Sequence, residues 1–215
     1  MVMGGPPPVL YEGYRRFLQR RLPDQRHRFE RLSSGQSPKV ALVGCVDSRC
    51  NPTTVFDARP GDLLIVRNIA NLVPPYRLEG GRCCTSAALE FAISQLGVEH
   101  LVVKGHSGCG GIKACIEAVA EAAPDTEFVG SWIDLAREAL GQIHAEPSTP
   151  DGDALVEAVG QRSVMISLER LRVYPFIAQA LAQGRLQLHG AWFDIGDASL
   201  SWLDRAAGAF RPVVV

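Results

Sequence analysis

Two short stretches hold most of the reactive side chains in this chain. One is Cys45-Val46-Asp47-Ser48-Arg49; the other is His106-Ser107-Gly108-Cys109-Gly110-Gly111. Two thiolates and an imidazole, from Cys45, His106 and Cys109, make three good ligands for zinc. Three protein ligands leave one coordination position open, the mark of a catalytic metal. A structural zinc is normally closed by four Cys or His ligands. Asp47 lies two residues from Cys45 and projects to the same side if strand geometry persists, which puts it within reach of the metal as a fourth ligand. Arg49, two residues further on, competes for the same carboxylate through a charge-assisted, bidentate pair. The competition describes a switch, open when Arg49 holds Asp47 and closed when Asp47 takes the metal. Taken singly, a buried cysteine is ordinarily a small apolar residue, and a glycine-rich turn is ordinarily a phosphate cradle or a plain turn. The two motifs together outweigh that reading.

Both motifs follow short apolar runs that must position them. Residues 39–45 (KVALVGC), 63–67 (LLIVR) and 100–105 (HLVVKG) have the look of strands buried on both faces, as in parallel sheets. Helices are expected over 85–96, ended by Gly97, and over 110–123, 131–144, 154–171 and 175–183, with a loop at 147–153. Residues 186–195 (LQLHGAWFDI) read as the final strand. At the start, residues 1–9 contain Pro6-Pro7-Pro8 and read as an extended arm. Tyr14, Phe17, Leu18 and Leu22 fall at helical spacing, and Pro23 suits the start of a second helix. The expected fold is α/β, a mostly parallel central sheet flanked by helices, with an N-terminal helical arm. Residues 1–35 form the arm and its helices as part of the same domain, and 36–215 form the metal-binding catalytic domain. In open parallel sheets ligands collect beyond the carboxyl ends of strands, so the two motifs can meet there.

Composition narrows the partners. The chain has 215 residues, suited to one sizeable core, and 47% of them are hydrophobic. A formal net charge of -1 is poor material for a phosphate-binding surface, so nucleic acid is not an expected partner. No apolar run is long enough to cross a membrane, and the first residues lack a secretory pattern, so a cytoplasmic location is expected. The six cysteines then point to metal binding or burial rather than to disulfides.

At the two motifs the chain resembles the β-class carbonic anhydrases. The likeness extends to Arg67-Asn68-Ile69-Ala70-Asn71, Val73-Pro74-Pro75-Tyr76, Ser86 to Glu90 and Val98-Glu99-His100-Leu101, and more weakly to Tyr174-Pro175-Phe176 and the last strand. The resemblance implies reversible hydration of carbon dioxide to bicarbonate and a proton through zinc-bound hydroxide. It places zinc, about one per chain, on Cys45, His106 and Cys109, with Asp47 and Arg49 as the catalytic dyad. Gln36 matches a substrate-orienting glutamine of the plant-like subgroup. Leu64, Ile69 and Phe91 fall where that subgroup lines its apolar substrate pocket, Phe91 replacing a frequent tyrosine. The other subgroup carries a bicarbonate pocket that needs a tryptophan where this chain has Leu42 and a valine where it has Cys50, so the open, plant-like type is expected. The resemblance also implies a homodimer or higher homo-oligomer.

Two rival readings keep the metal. One is a hydrolase of carbonyl sulfide or carbon disulfide on the same fold. The other is a non-catalytic, zinc-stabilised binding module. A phosphate-binding reading of the Gly108 to Gly111 turn lacks the Lys-Ser/Thr of a P-loop. His27, His100, His144 and His189, and the cysteines outside the motifs, read as structural or surface residues.

Overall fold

The structure, a computed structural model, describes residues 5–77, 82–120 and 126–214. The chain divides into two compact units, Met1–Gln36 and Ser37–Val215. In the first, Pro8 and Pro23 each occupy an opening helical turn, where a missing N–H leaves no hydrogen bond unmade. Helix α1 spans Pro8–Arg16 and α2 spans Leu22–Leu32, joined by a π-helical turn at Phe17–Arg21. The first helix therefore starts within the stretch expected to be extended. Phe17 stacks on Tyr14 with ring centroids 6.1 Å apart and meets Phe29 edge-on at 5.8 Å. No residue of either helix is buried.

In the second unit the apolar runs become strands β1 (Val40–Cys45), β2 (Leu63–Asn68), β3 (His100–His106) and β4 (Gln187–Phe193). Two further strands, β5 (Leu200–Asp204) and β6 (Ala209–Pro212), follow the strand expected to be last. The sheet order is β2-β1-β3-β4-β5-β6. The first four strands are parallel, and β5 and β6 add antiparallel pairings at one edge. The chain turns back from β4 through Asp194, whose Oδ1 accepts hydrogen bonds from the N–H groups of Gly196 and Asp197. That Asx turn, not a change of hydrophobic pattern, starts the antiparallel edge.

Between the strands lie helices α3 (Pro52–Val55), α4 (Cys84–Glu90), α5 (Gly110–Ala120), α6 (Val129–Ile133), α7 (Arg137–His144), α8 (Gly152–Arg172) and α9 (Pro175–Ala182). Helix α4 passes into a π-helical turn at Phe91–Gln95 and stops at Gly97, whose φ of +63° is the left-handed conformation expected of a stop. The helix expected over 131–144 is broken by a 3₁₀ turn at Asp134–Ala136. The expected end of the preceding helix, 121–123, lies outside the described residues.

Alternation along the strands splits the core. Ala41, Val43, Leu101 and Val103 pack with Val164 and Leu168 of α8, whereas Leu42, Val102 and Ala191 pack with Phe56, Ile65 and Trp202. Trp192 fills a slot that two glycines leave open. A Cβ on Gly105 would lie 2.5 Å from its ring, and one on Gly160 would lie 2.6 Å from it. The sheet order also fixes the site. β1 has β2 on one side and β3 on the other, so the chain changes direction there, and the crevice opens between the ends of β1 and β3.

Candidate metal centre and active site

Cys45 ends β1 and His106 ends β3, and these strands are parallel neighbours. Gly108, with φ +59°, turns the chain so that Cys109 returns to the same point. Cys45, His106 and Cys109 are all buried, and one ligand atom from each lies within 4.8 Å of the others. The two sulfurs are 4.0 Å apart. Two sulfurs on one tetrahedral zinc, each about 2.3 Å from the ion, would be about 3.8 Å apart. His106 Nδ1–H donates to the Ser107 carbonyl at 2.9 Å, which sets the tautomer and leaves Nε2 with a free lone pair. That buried Nε2 has no hydrogen-bond partner. A buried acceptor with no donor, beside two thiols, suits a metal ligand.

The electrostatics agree. The Cys45 thiol is drawn down to about 4, first by the hydrogen bond from Cys109, against the opposing effect of burial, and with help from the backbone N–H groups of Asp47 and Ala70. Cys109 is pushed up, first by serving as that donor and then by burial. A divalent cation at this place would hold both sulfurs as thiolates. Ala70, which aims its N–H at Cys45, has φ +59° within the turn Ile69–Asn71. Around that turn, Asn68 Nδ2 donates to Leu72 O and Thr85 Oγ1, and Trp132 Nε1 donates to Ile69 O. Gly111 is what lets the turn approach α5, because a Cβ there would lie 2.6 Å from Ile69 Cγ2 and 3.0 Å from Ala70 Cβ.

Asp47 is engaged by Arg49 on both oxygens. Oδ1 accepts from the Arg49 backbone N–H at 2.9 Å and from Nε at 3.0 Å, and Oδ2 accepts from Nη2 at 2.7 Å. Arg49 Nη2 also donates to Gly108 O at 3.2 Å, so it ties the two motifs together. The Arg49 side chain, as the largest cause, holds the Asp47 carboxyl well below the usual carboxylate range. Asp47 is thus paired with Arg49 through both carboxylate oxygens.

A family model described as carbonic anhydrase matches residues 40–200. The chain belongs to the β-carbonic anhydrase family. It is 39% identical to β-carbonic anhydrase 5, chloroplastic, of Arabidopsis thaliana over 82% of its own length, but spans only 58% of that relative. It is 34% identical to a carbonic anhydrase of Pseudomonas aeruginosa, over 94% of this chain and 89% of that one. The solved structure of the β-carbonic anhydrase CcaA matches with a TM-score of 0.89 and 29% identity, covering 95% of this chain and 98% of the other. A tetrameric β-carbonic anhydrase of Sordaria macrospora matches at 0.78 and 28% identity, covering 91% and 95%.

For a β-carbonic anhydrase the remaining expected site residues are unevenly placed. Ile69 packs against the buried cluster to which Cys45 and Cys109 belong. Leu64 is half-buried and packs instead with Val43 and Leu101. Phe91 is 47% exposed at the end of α4, and Gln36 is exposed as the last residue of the first unit. Two buried or half-buried cations lie beside the site, and sequence reasoning missed the second of them, Lys104. Arg67 donates through Nε to Cys45 O at 2.8 Å and through Nη2 to Asp47 O at 2.7 Å. Lys104, fully buried, donates to Cys50 O at 3.0 Å. A lone lysine in the apolar run of β3 was the available signal for the second.

Proposed function

We propose that this chain hydrates carbon dioxide reversibly to bicarbonate and a proton, with zinc held by Cys45, His106 and Cys109. The observation that carries the reading is the buried, unpartnered Nε2 of His106 converging with two sulfurs 4.0 Å apart. When bound, zinc would supply Lewis acidity and lower the pKa of a coordinated water toward neutrality. Two thiolates offset the charge of the ion, so the neighbouring side chains must help more than they would beside three histidines. Asp47, ionised and kept by Arg49 from ligating, accepts a hydrogen bond from the attacking water and orients its lone pair toward the substrate. Leu64, Ile69 and Phe91 are proposed as apolar walls suited to a small, uncharged linear molecule. The Gln36 amide is proposed to donate to the oxygen charge that develops as bicarbonate forms. The Asp47–Arg49 pairing supports the open, plant-like type.

Assembly as a homo-oligomer is proposed with this activity. The apolar Val9, Leu10, Tyr11 and Tyr14, all more than half exposed on α1, support it, as does the tetrameric relative. A cytoplasmic location is proposed on the six free thiols, which fit a reducing compartment. No helix among the described residues is long and apolar enough to cross a membrane.

Stopped-flow hydration of carbon dioxide with a pH indicator tests the activity, run beside sulfide release from carbonyl sulfide on the same sample. Rapid hydration, lost on chelation and regained with zinc, is the expected result. Sulfide release without hydration would assign the site to the other substrate, and neither reaction would leave a binding module.

A further inference from the structure

The register of the sheet places Arg67, Gly44 and Lys104 abreast on β2, β1 and β3. All three share the face that carries Leu42, Ile65 and Val102, two residues earlier on each strand. Gly44 has no side chain, so two cations flank bare backbone. Above them runs the segment 45–50, which carries one metal ligand and the whole dyad. Arg67 holds its first half through the carbonyls of Cys45 and Asp47. Lys104 holds its far end through the carbonyl of Cys50, its ammonium 5.3 Å from the centre of the Phe193 ring. Between these anchors the Asp47 carbonyl also accepts from the Cys50 N–H at 3.3 Å and the Cys50 thiol at 3.4 Å.

An apolar residue would continue the pattern of β3 at no desolvation cost, whereas a buried ammonium carries a desolvation penalty. Burial indeed pulls Lys104 down from the ordinary lysine range, in the presence of Cys50, Arg67, Cys45 and Asp47. We propose that Lys104 is a positioning residue for the Asp47–Arg49 dyad: by fixing Cys50 O it holds the 3₁₀ turn Ser48–Cys50 so that Arg49 faces Asp47 and keeps it from the metal. The inference rests on the hydration reading for its rate effect, but not for its structural effect.

The test is Lys104→Met, with Lys104→Gln as a second variant should the first fail to fold, each made in wild type and in Asp47→Ala. Cobalt-loaded protein reads the coordination directly. In Lys104→Met the visible bands should shift as Asp47 becomes a fourth ligand, and the shift should vanish in the Asp47→Ala background. The hydration kcat/KM should fall roughly tenfold with metal content kept, and less than about twofold when Asp47 is already absent. An unchanged cobalt spectrum, or a rate loss equally large without Asp47, would make Lys104 a structural residue only and overturn the proposal. If wild type hydrates no carbon dioxide, the assigned activity fails, while the cobalt comparison still decides the role of Lys104.

Discussion

The turn after β1 carries Cys45, Asp47 and Arg49, and it is gripped by side-chain cations. Arg67 and Lys104 between them take three of its carbonyls, and Arg49 takes its carboxylate. The turn after β3 carries His106 and Cys109, and it is shaped by missing side chains. Gly108 supplies a left-handed residue, Gly111 lets the turn Ile69–Asn71 come close, and Gly105 makes room for Trp192. The difference teaches what each turn has to do. On the proposed mechanism the first must hold a carboxylate in one of two places, which needs adjustable electrostatic contacts. The second must aim two ligands at one point, which tight packing does at little cost in flexible groups.

Breaking the second turn at its ligands should have the largest effect. His106→Ala or Cys109→Ser should leave the purified protein nearly free of zinc, with hydration down at least about a thousandfold, roughly 4 kcal/mol of barrier. Breaking the first turn at its carboxylate should separate metal from chemistry. Asp47→Ala should keep zinc near wild-type content, measured by elemental analysis, and lower kcat/KM roughly a hundredfold.

The candidate ligands and the candidate dyad were legible in the sequence because each motif is a few residues long and directly follows an apolar run. A strand followed by C-x-D-x-R or H-x-x-C-G-G carries its own placement. Arg67 and Lys104 were not legible as a pair, because they meet only through the register of β2, β1 and β3, which no single segment encodes. The parallel core was readable from residues 39–45, 63–67 and 100–105, all apolar and β-branched. The antiparallel edge was not, since Leu200–Asp204 is short and half-buried throughout, and the Asx turn at Asp194 lies inside the stretch assigned to the preceding strand. The π-helical turns at Phe17–Arg21 and Phe91–Gln95 interrupt helices whose apolar spacing is continuous.

Smaller effects sharpen the same contrast. Gly111→Ala forces a methyl group against Ile69 and Ala70 and should destabilise the protein by about 1–3 kcal/mol. Calorimetry should show this as a drop in Tm of several degrees.

The smallest expected effect lies at Glu157 on α8, where His106 and Asp194 contribute to its electrostatics. Burial, as the largest cause, raises its pKa, and Gln161 Nε2 donates to Oε1 at 2.9 Å. A carboxyl whose folded pKa is raised binds more protons folded than unfolded as pH rises past the unfolded value near 4.3, so it lowers stability there. Glu157→Gln should therefore raise Tm at pH 7 by about 1–2 °C, and the gain should disappear below about pH 4. A Tm difference that stayed constant with pH would place the effect in packing, not charge.

X-ray absorption at the zinc edge of the purified protein tests the metal centre most directly. Two sulfurs at about 2.3 Å and one nitrogen at about 2.0 Å, completed by a light oxygen donor, are the expected result. A metal with no sulfur neighbours, or with four sulfur and nitrogen protein ligands, would contradict it.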